Sequence, residues 1–129
     1  MVPIGELARS AGVKIPTIRY YEQIGLLGAP ERTEGKQRRY GNDAVQRLNF
    51  IRHARDMGFS VEDIRELLAL STRPDQPCGN IDKIAARQLA AVDQRIAQLT
   101  ALRTELMRML DQCEGSSVAE CCVIESLAH

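Results

Sequence analysis

Residues 81–110, IDKIAARQLAAVDQRIAQLTALRTELMRML, contain neither proline nor glycine. This stretch limits what the chain can fold into more than any other. Ala85, Leu89, Val92, Ile96 and Leu99 recur at alternating steps of four and three, the rhythm of a coiled coil. After Leu99 the stripe slips to Leu102, Leu106 and Met109/Leu110, a shift of the stammer type. The pattern predicts one long helix over residues 80–112. Such a helix cannot bury its stripe on itself, and the residues before it are too few to cover it. A partner helix is needed, most simply from a second copy of the chain.

Thiols stand at both ends of this helix. Cys78 precedes it, and Cys113, Cys121 and Cys122 follow it. At 1.5 Å rise per residue the helix holds Cys78 and Cys113 about 50 Å apart, too far to share an ion within one chain. An antiparallel pair removes the difficulty. Cys78 of one subunit then meets Cys113, Cys121 and Cys122 of the other, twice per dimer. The loop CEGSSVAEC is short enough to bring Cys113 and Cys121 over one ion. Thiolates select soft or borderline ions: Zn(II), Cd(II), Pb(II), Hg(II) or Cu(I). Three sulfurs on a divalent ion favour three-coordinate capture, whereas two alone favour linear Cu(I). Other readings stay open: a vicinal Cys121–Cys122 disulfide, or thiols that are inert. The paired CxxC knuckles of a structural zinc site are absent, and His129 at the terminus is expected to fray.

The front of the chain is shorter-ranged. Ile4, Leu7, Ala8 and Ala11 lie at helical spacing and stop at Gly12. Ile18, Tyr21 and Ile24 resume the pattern and stop at Gly25. Two short helices around a tight glycine turn describe a helix-turn-helix. Its second helix would read DNA with Lys14, Thr17, Arg19 and Tyr20. GAPERTEGKQRRY, residues 28–40, is too polar for a core element and reads as a hairpin wing turning at Glu34-Gly35-Lys36. Arg32, Lys36, Arg38 and Arg39, with Tyr40 at its end, would contact DNA. A further helix, capped by Asn42 or Asp43, carries Ala44, Val45, Leu48, Ile51 and Ala54. His53 on it reads as a packed or surface histidine, not a ligand. Ser60 and Asp63 form a capping box for the next helix, whose face is Val61, Ile64, Leu67 and Leu68. The prolines and glycine of STRPDQPCGN, residues 71–80, divide the chain.

The expected organisation is a mainly α protein: a winged helix-turn-helix domain over 1–73, a hinge over 74–79, a dimerisation helix over 80–112, and a metal loop with a short helix over 113–129. Charge follows the same division. Residues 1–73 hold 12 Lys and Arg against 9 Asp and Glu, and residues 74–129 hold 5 against 8. The basic front fits nucleic acid. No apolar run is long enough to span a membrane, and MVPIGELARS lacks a signal-peptide core, so the cytoplasm is expected. There thiols stay reduced, which favours metal binding over disulfides. No nucleophile–base pairing marks an enzyme.

Together these residues resemble the MerR family of metal-responsive bacterial transcription regulators. IGELARSAGVKIPTIRYYEQIGLL is similar to the family's front signature. RTEGKQRRYGNDAVQRLNFIRHARDMGFSVEDIRELL is similar to its wing and second helical pair, and CEGSSVAECCVIESL to its metal loop and terminal helix. The resemblance implies a homodimer joined by an antiparallel coiled coil on a pseudo-palindromic operator. Such regulators bind DNA with and without metal. Metal changes the angle between the DNA-binding domains, and the promoter is bent and untwisted so that RNA polymerase engages. The family's copper(I) sensors typically carry serine where this chain has Cys78, so the resemblance implies a divalent ion: cadmium, lead, zinc or mercury. RPDQPCG resembles the cadmium and lead sensors, and the family's zinc sensors usually have a loop histidine that is missing here. Cys122 departs from the family pattern and is either a fourth ligand or a bystander. A copper(I) sensor and a thiol-redox sensor on the same scaffold are the alternatives.

Overall fold

The computed structural model describes residues 1–32, 38–112 and 117–129, with strand residues 31, 32 and 38 described by their backbone alone. Lys36 and Cys113 therefore lie outside the described residues, as do the side chains of Arg32 and Arg38.

Helix α1, Ile4–Ala11, stops at Gly12, whose φ of 68° is in the left-handed region and whose N–H donates to Ala8 O. Glycine adopts that conformation without a Cβ clash, which is why the helix ends there. Helix α2, Ile15–Gln23, carries Pro16 in its first turn, where a missing N–H costs nothing. Gly25, at φ 81°, turns the chain after α2, and Leu26 and Leu27 drop into the core. Strands β1, Glu31–Arg32, and β2, Arg38–Arg39, pair antiparallel with Glu31 opposite Arg39 and Arg32 opposite Arg38. The expected hairpin is present, and its turn lies outside the described residues.

Helix α3, Asn42–Asp56, is capped by Gly41 in an extended conformation, not by Asn42 or Asp43. Both expected caps are already helical. Asp43 instead sits in the first turn, where its charge suits the helix's positive end. Helix α4, Val61–Ser71, does start at the expected cap: Ser60 Oγ accepts from the Asp63 N–H at 3.1 Å. His53 is at the surface.

Leu7, Ile18, Leu48, Ile51, Ile64 and Leu68 form the centre of the core to which α1–α4 contribute. Tyr40 belongs to the same core at 2% exposure, although it closes a polar run. Val2 and Tyr40 exchange main-chain hydrogen bonds at 2.9 and 2.8 Å, which pins the end of the wing to the start of the chain.

Helix α5, Gly79–Gln112, is unbroken over 34 residues. A 3-10 turn, Val118–Glu120, and helix α6, Cys122–Ala128, follow. The chain forms two compact units, Met1–Ile84 and Ala85–His129. In the first, Ile84 is 1% exposed. In the second, Leu89, Val92, Ile96, Leu99, Leu102 and Leu106 are exposed, and Met109, at 8%, is the buried apolar side chain among the described residues. Among the described residues no helix is long and apolar enough to cross a membrane.

Candidate nucleic-acid interface and thiol cluster

The packing of α2 sorts its side chains. Ile18 and Tyr21 face the core, so the opposite side of the helix is left outward. Arg19, Tyr20 and Gln23 are exposed there, Tyr20 at 49%. Lys14 is exposed at the N-cap and Thr17 is half-buried. The Tyr20 ring leans on Tyr21, with centroids 6.0 Å apart and planes tilted by 49°. A buried tyrosine thus steadies an exposed one, and a cation and an aromatic ring are offered together on one helical face. That combination suits base edges and phosphates.

Two arginines hold the turn after α2. Arg47 of α3 donates from Nε to Leu26 O at 2.6 Å. Arg65 of α4 donates to Ile24 O at 2.8 Å. These carbonyls lie past the helix end, where intrahelical donors have run out. Neither arginine was singled out from the sequence. Their acceptors lie 21 and 41 residues away, and no local spacing announces such a pairing.

The wing residues divide. Arg39 is half-buried in β2, and Arg32 and Arg38 stand opposite each other in the backbone register. Tyr40 is a correction. With its ring in the core it cannot lie against DNA, and its hydroxyl donates to Glu22 Oε1 at 2.6 Å. It is a positioning residue that ties the wing's end to α2. Glu22 was likewise missed in the sequence, because its partner is 18 residues away.

The thiols are placed as follows. Cys78 is exposed, directly before α5, and its carbonyl accepts the Asp82 N–H at 2.8 Å. Cys121 and Cys122 are half-buried. Cys121, the last residue of the expected loop CEGSSVAEC, is the N-cap of α6, and Cys122 is the first residue of that helix. None of these three is bridged in this structure. Cys122 Sγ donates to Gln112 O at 3.0 Å. Among the described residues of the chain, no group of three or more His, Cys, Asp or Glu could hold an ion. The described donors are sulfurs, a set that fits a soft ion rather than a hard one. Near the end of α5, Arg108 donates to Glu105 and to Gln112 Oε1, the latter at 2.9 Å. The Arg108 hydrogen bond holds the Glu105 carboxyl below its ordinary range.

Comparison with known proteins agrees with this arrangement. Residues 2–71 match the family described as "MerR HTH family regulatory protein", and residues 45–109 match the one described as "MerR, DNA binding". The HTH-type transcriptional regulator ZntR of Escherichia coli (strain K12) is 43% identical over 130 residues, covering 98% of this chain and 92% of that protein. Heavy metal-dependent transcription regulator 2 of Rhizobium meliloti (strain 1021) is 39% identical over 126 residues, covering 98% and 86%. Among solved structures, the transcription regulator PbrR691 from Ralstonia metallidurans CH34, in complex with lead(II), superposes with a TM-score of 0.82 at 38% identity, covering 98% of this chain and 99% of that one. With its helix-turn-helix, its wing and its long helix matched over nearly their whole extent, the chain belongs to the MerR family: it is a DNA-binding transcription regulator and not an enzyme.

Proposed function

We propose that the protein is a metal-responsive transcriptional activator that works as a homodimer on promoter DNA. The observation that carries this reading is the arrangement of thiols along the chain: exposed Cys78 directly before an unbroken 34-residue helix, and half-buried Cys121 after it. The exposed apolar stripe of that helix supports an antiparallel pairing of two copies. In that pairing Cys113 and Cys121 of one subunit and the partner subunit's Cys78 form one site. The bound ion supplies a cross-link between subunits through thiolate sulfurs. A soft divalent ion fits the donors, and the lead(II) held by PbrR691 supports cadmium or lead ahead of zinc or mercury.

The rest is the work of the protein's own residues. Residues 1–73 form the DNA-binding domain, 74–79 the hinge, 80–112 the dimerisation helix, and 113–129 the metal loop and terminal helix. Lys14, Thr17, Arg19 and Tyr20 read the major groove, while Arg32, Lys36, Arg38 and Arg39 contact phosphates. Metal shifts the dimer toward a form whose two reading heads fit a bent, untwisted promoter. The shift can be no larger than the ion's preference for that form. RNA polymerase then meets promoter elements in a usable geometry, because binding energy has gone into DNA deformation. The cytoplasm, where thiols stay reduced, suits such a site.

The test is an anaerobic titration of the reduced protein with Cd(II), Pb(II), Hg(II), Zn(II) and Cu(I), beside Cys78→Ser. The expected result is tight binding of a divalent ion at one per subunit. Cys78→Ser should lose that binding and the promoter response while operator affinity stays within about threefold. Loss of DNA binding in Cys78→Ser would overturn the cross-subunit site. Response to oxidant without metal would favour the redox alternative.

A further inference from the structure

One position of the α5 stripe holds a cation where the rhythm calls for an apolar side chain. From Ala85 to Leu99 the stripe alternates steps of four and three. The next step of four lands on Arg103, and steps of three and four then reach Leu106 and Leu110. Counted this way the stripe keeps its register to Leu110, Arg103 interrupts it, and Leu102 stands beside it. The helix itself is unbroken there. Asp93, one residue past the stripe position Val92, is exposed, and so is Arg103. Neither side chain has an ion-pair partner among the described residues of its own chain. At three and four residues on either side, Asp93 and Arg103 meet only uncharged side chains, so the helix offers them no partner of its own. Arg108, by contrast, is braced on Glu105 of the same helix.

We propose that Arg103 of one subunit pairs with the partner subunit's Asp93 across the α5 seam, and that this ion pair, made twice, sets the direction and register of the dimer. This rests on the antiparallel dimer of the function proposed above. Covering the whole stripe from Ala85 to Leu110 requires one register: Ala85 against the partner's Leu110, Ile96 against the partner's Leu99, and Arg103 against the partner's Val92. The partner's Asp93 then stands on the same flank of the seam as Arg103 and about 1.5 Å from it in level. A slide of one heptad, about 10 Å, puts the partner's Ala86 or the partner's Thr100 where Asp93 would be, and Arg103 goes unanswered. A parallel pair sets Arg103 against the partner's Arg103, like charge against like. One arginine thus selects against both wrong alignments, at the cost of an apolar contact in the seam. The pin needs no metal, so it orients the dimer before an ion arrives.

The experiment uses the full-length, reduced, metal-free protein and exchanges the charges: Asp93→Arg, Arg103→Glu, and both together. Sedimentation equilibrium measures the dimer dissociation constant. Each single exchange should weaken the dimer about ten- to hundredfold, and the double exchange should return it to within about threefold of the parent. Because a weakened single variant can also lose helix, the two singles are mixed as a second test. Each repels itself, but together they restore two opposite-charge pairs. Native mass spectrometry of the mixture should find about nine-tenths or more of the dimers mixed, against about half for random association. A double exchange no tighter than the singles, or a random mixture, would overturn the pin. So would singles that associate like a dimeric parent, and that result would leave the dimer itself standing. A monomeric parent would instead overturn the dimer reading, and the pin with it.

Discussion

The two compact units spend their apolar residues in opposite ways. In Met1–Ile84, leucines and isoleucines from four short helices converge until Leu7, Ile18, Leu48 and Ile64 are sealed from water. In Ala85–His129, a comparable run of leucines, valine and isoleucine stands exposed along one helix. The first unit has a core written within a single chain. The second has a helical pattern whose burial needs something further. Local periodicity is enough to form a helix but does not say what covers it; that information lies in the spacing of the stripe, not in any contact of one chain.

This contrast can be broken most decisively at Ile96, near the middle of α5. In one chain Ile96 is exposed, and a surface change of this kind alters stability by about 0.5 kcal/mol or less. In an antiparallel dimer, Ile96→Asp places unpaired charges in the seam, each costing about 3–5 kcal/mol. Sedimentation equilibrium should show a monomer, and a persistent dimer would refute the seam. Leu48→Ala probes the other unit. A fully buried leucine there should cost about 2–5 kcal/mol on denaturant unfolding, and a cost below about 1 kcal/mol would mean that the core is less self-contained than it looks. Arg19→Ala should weaken operator binding by about 1–3 kcal/mol per half-site with stability unchanged; equal affinity at moderate salt would remove Arg19 from the interface. Tyr40→Phe is the mildest. Losing the hydroxyl's bond to Glu22 should cost about 0.5–1.5 kcal/mol of stability. A loss confined to DNA affinity, with stability intact, would return Tyr40 to the interface.

The fold was legible where chemistry is local. Gly12 and Gly25 mark the ends of α1 and the α2 segment because backbone with positive φ is a property of the residue itself. Ser60 announced α4 in the same way. Legibility failed where the partner is distant or the alternatives are neighbours. Asn42, Asp43 and Gly41 could each have capped α3, and one residue's backbone angle decided among them. Tyr40 sits in a polar run, so its sequence surroundings advertise solvent while its ring joins a core built from four other segments. In the thiol cluster, residue types pointed to metal chemistry, but the start of α6 between Cys121 and Cys122 is a backbone boundary. Cysteine spacing cannot carry that. Lys36 and Cys113 lie outside the described residues and remain expectations from sequence.

The two arginines that hold the turn after α2 have one more consequence. Arg47 and Arg65 grip Leu26 O and Ile24 O, which are main-chain oxygens that every residue possesses. The grip is therefore indifferent to which side chains the helix displays. If Lys14, Thr17, Arg19 and Tyr20 read the operator as proposed, they could be exchanged for residues that read another one while the hold on the helix stays the same. Mounting and lettering are separate inheritances in this domain, so new DNA targets can evolve without rebuilding the part that aims at them.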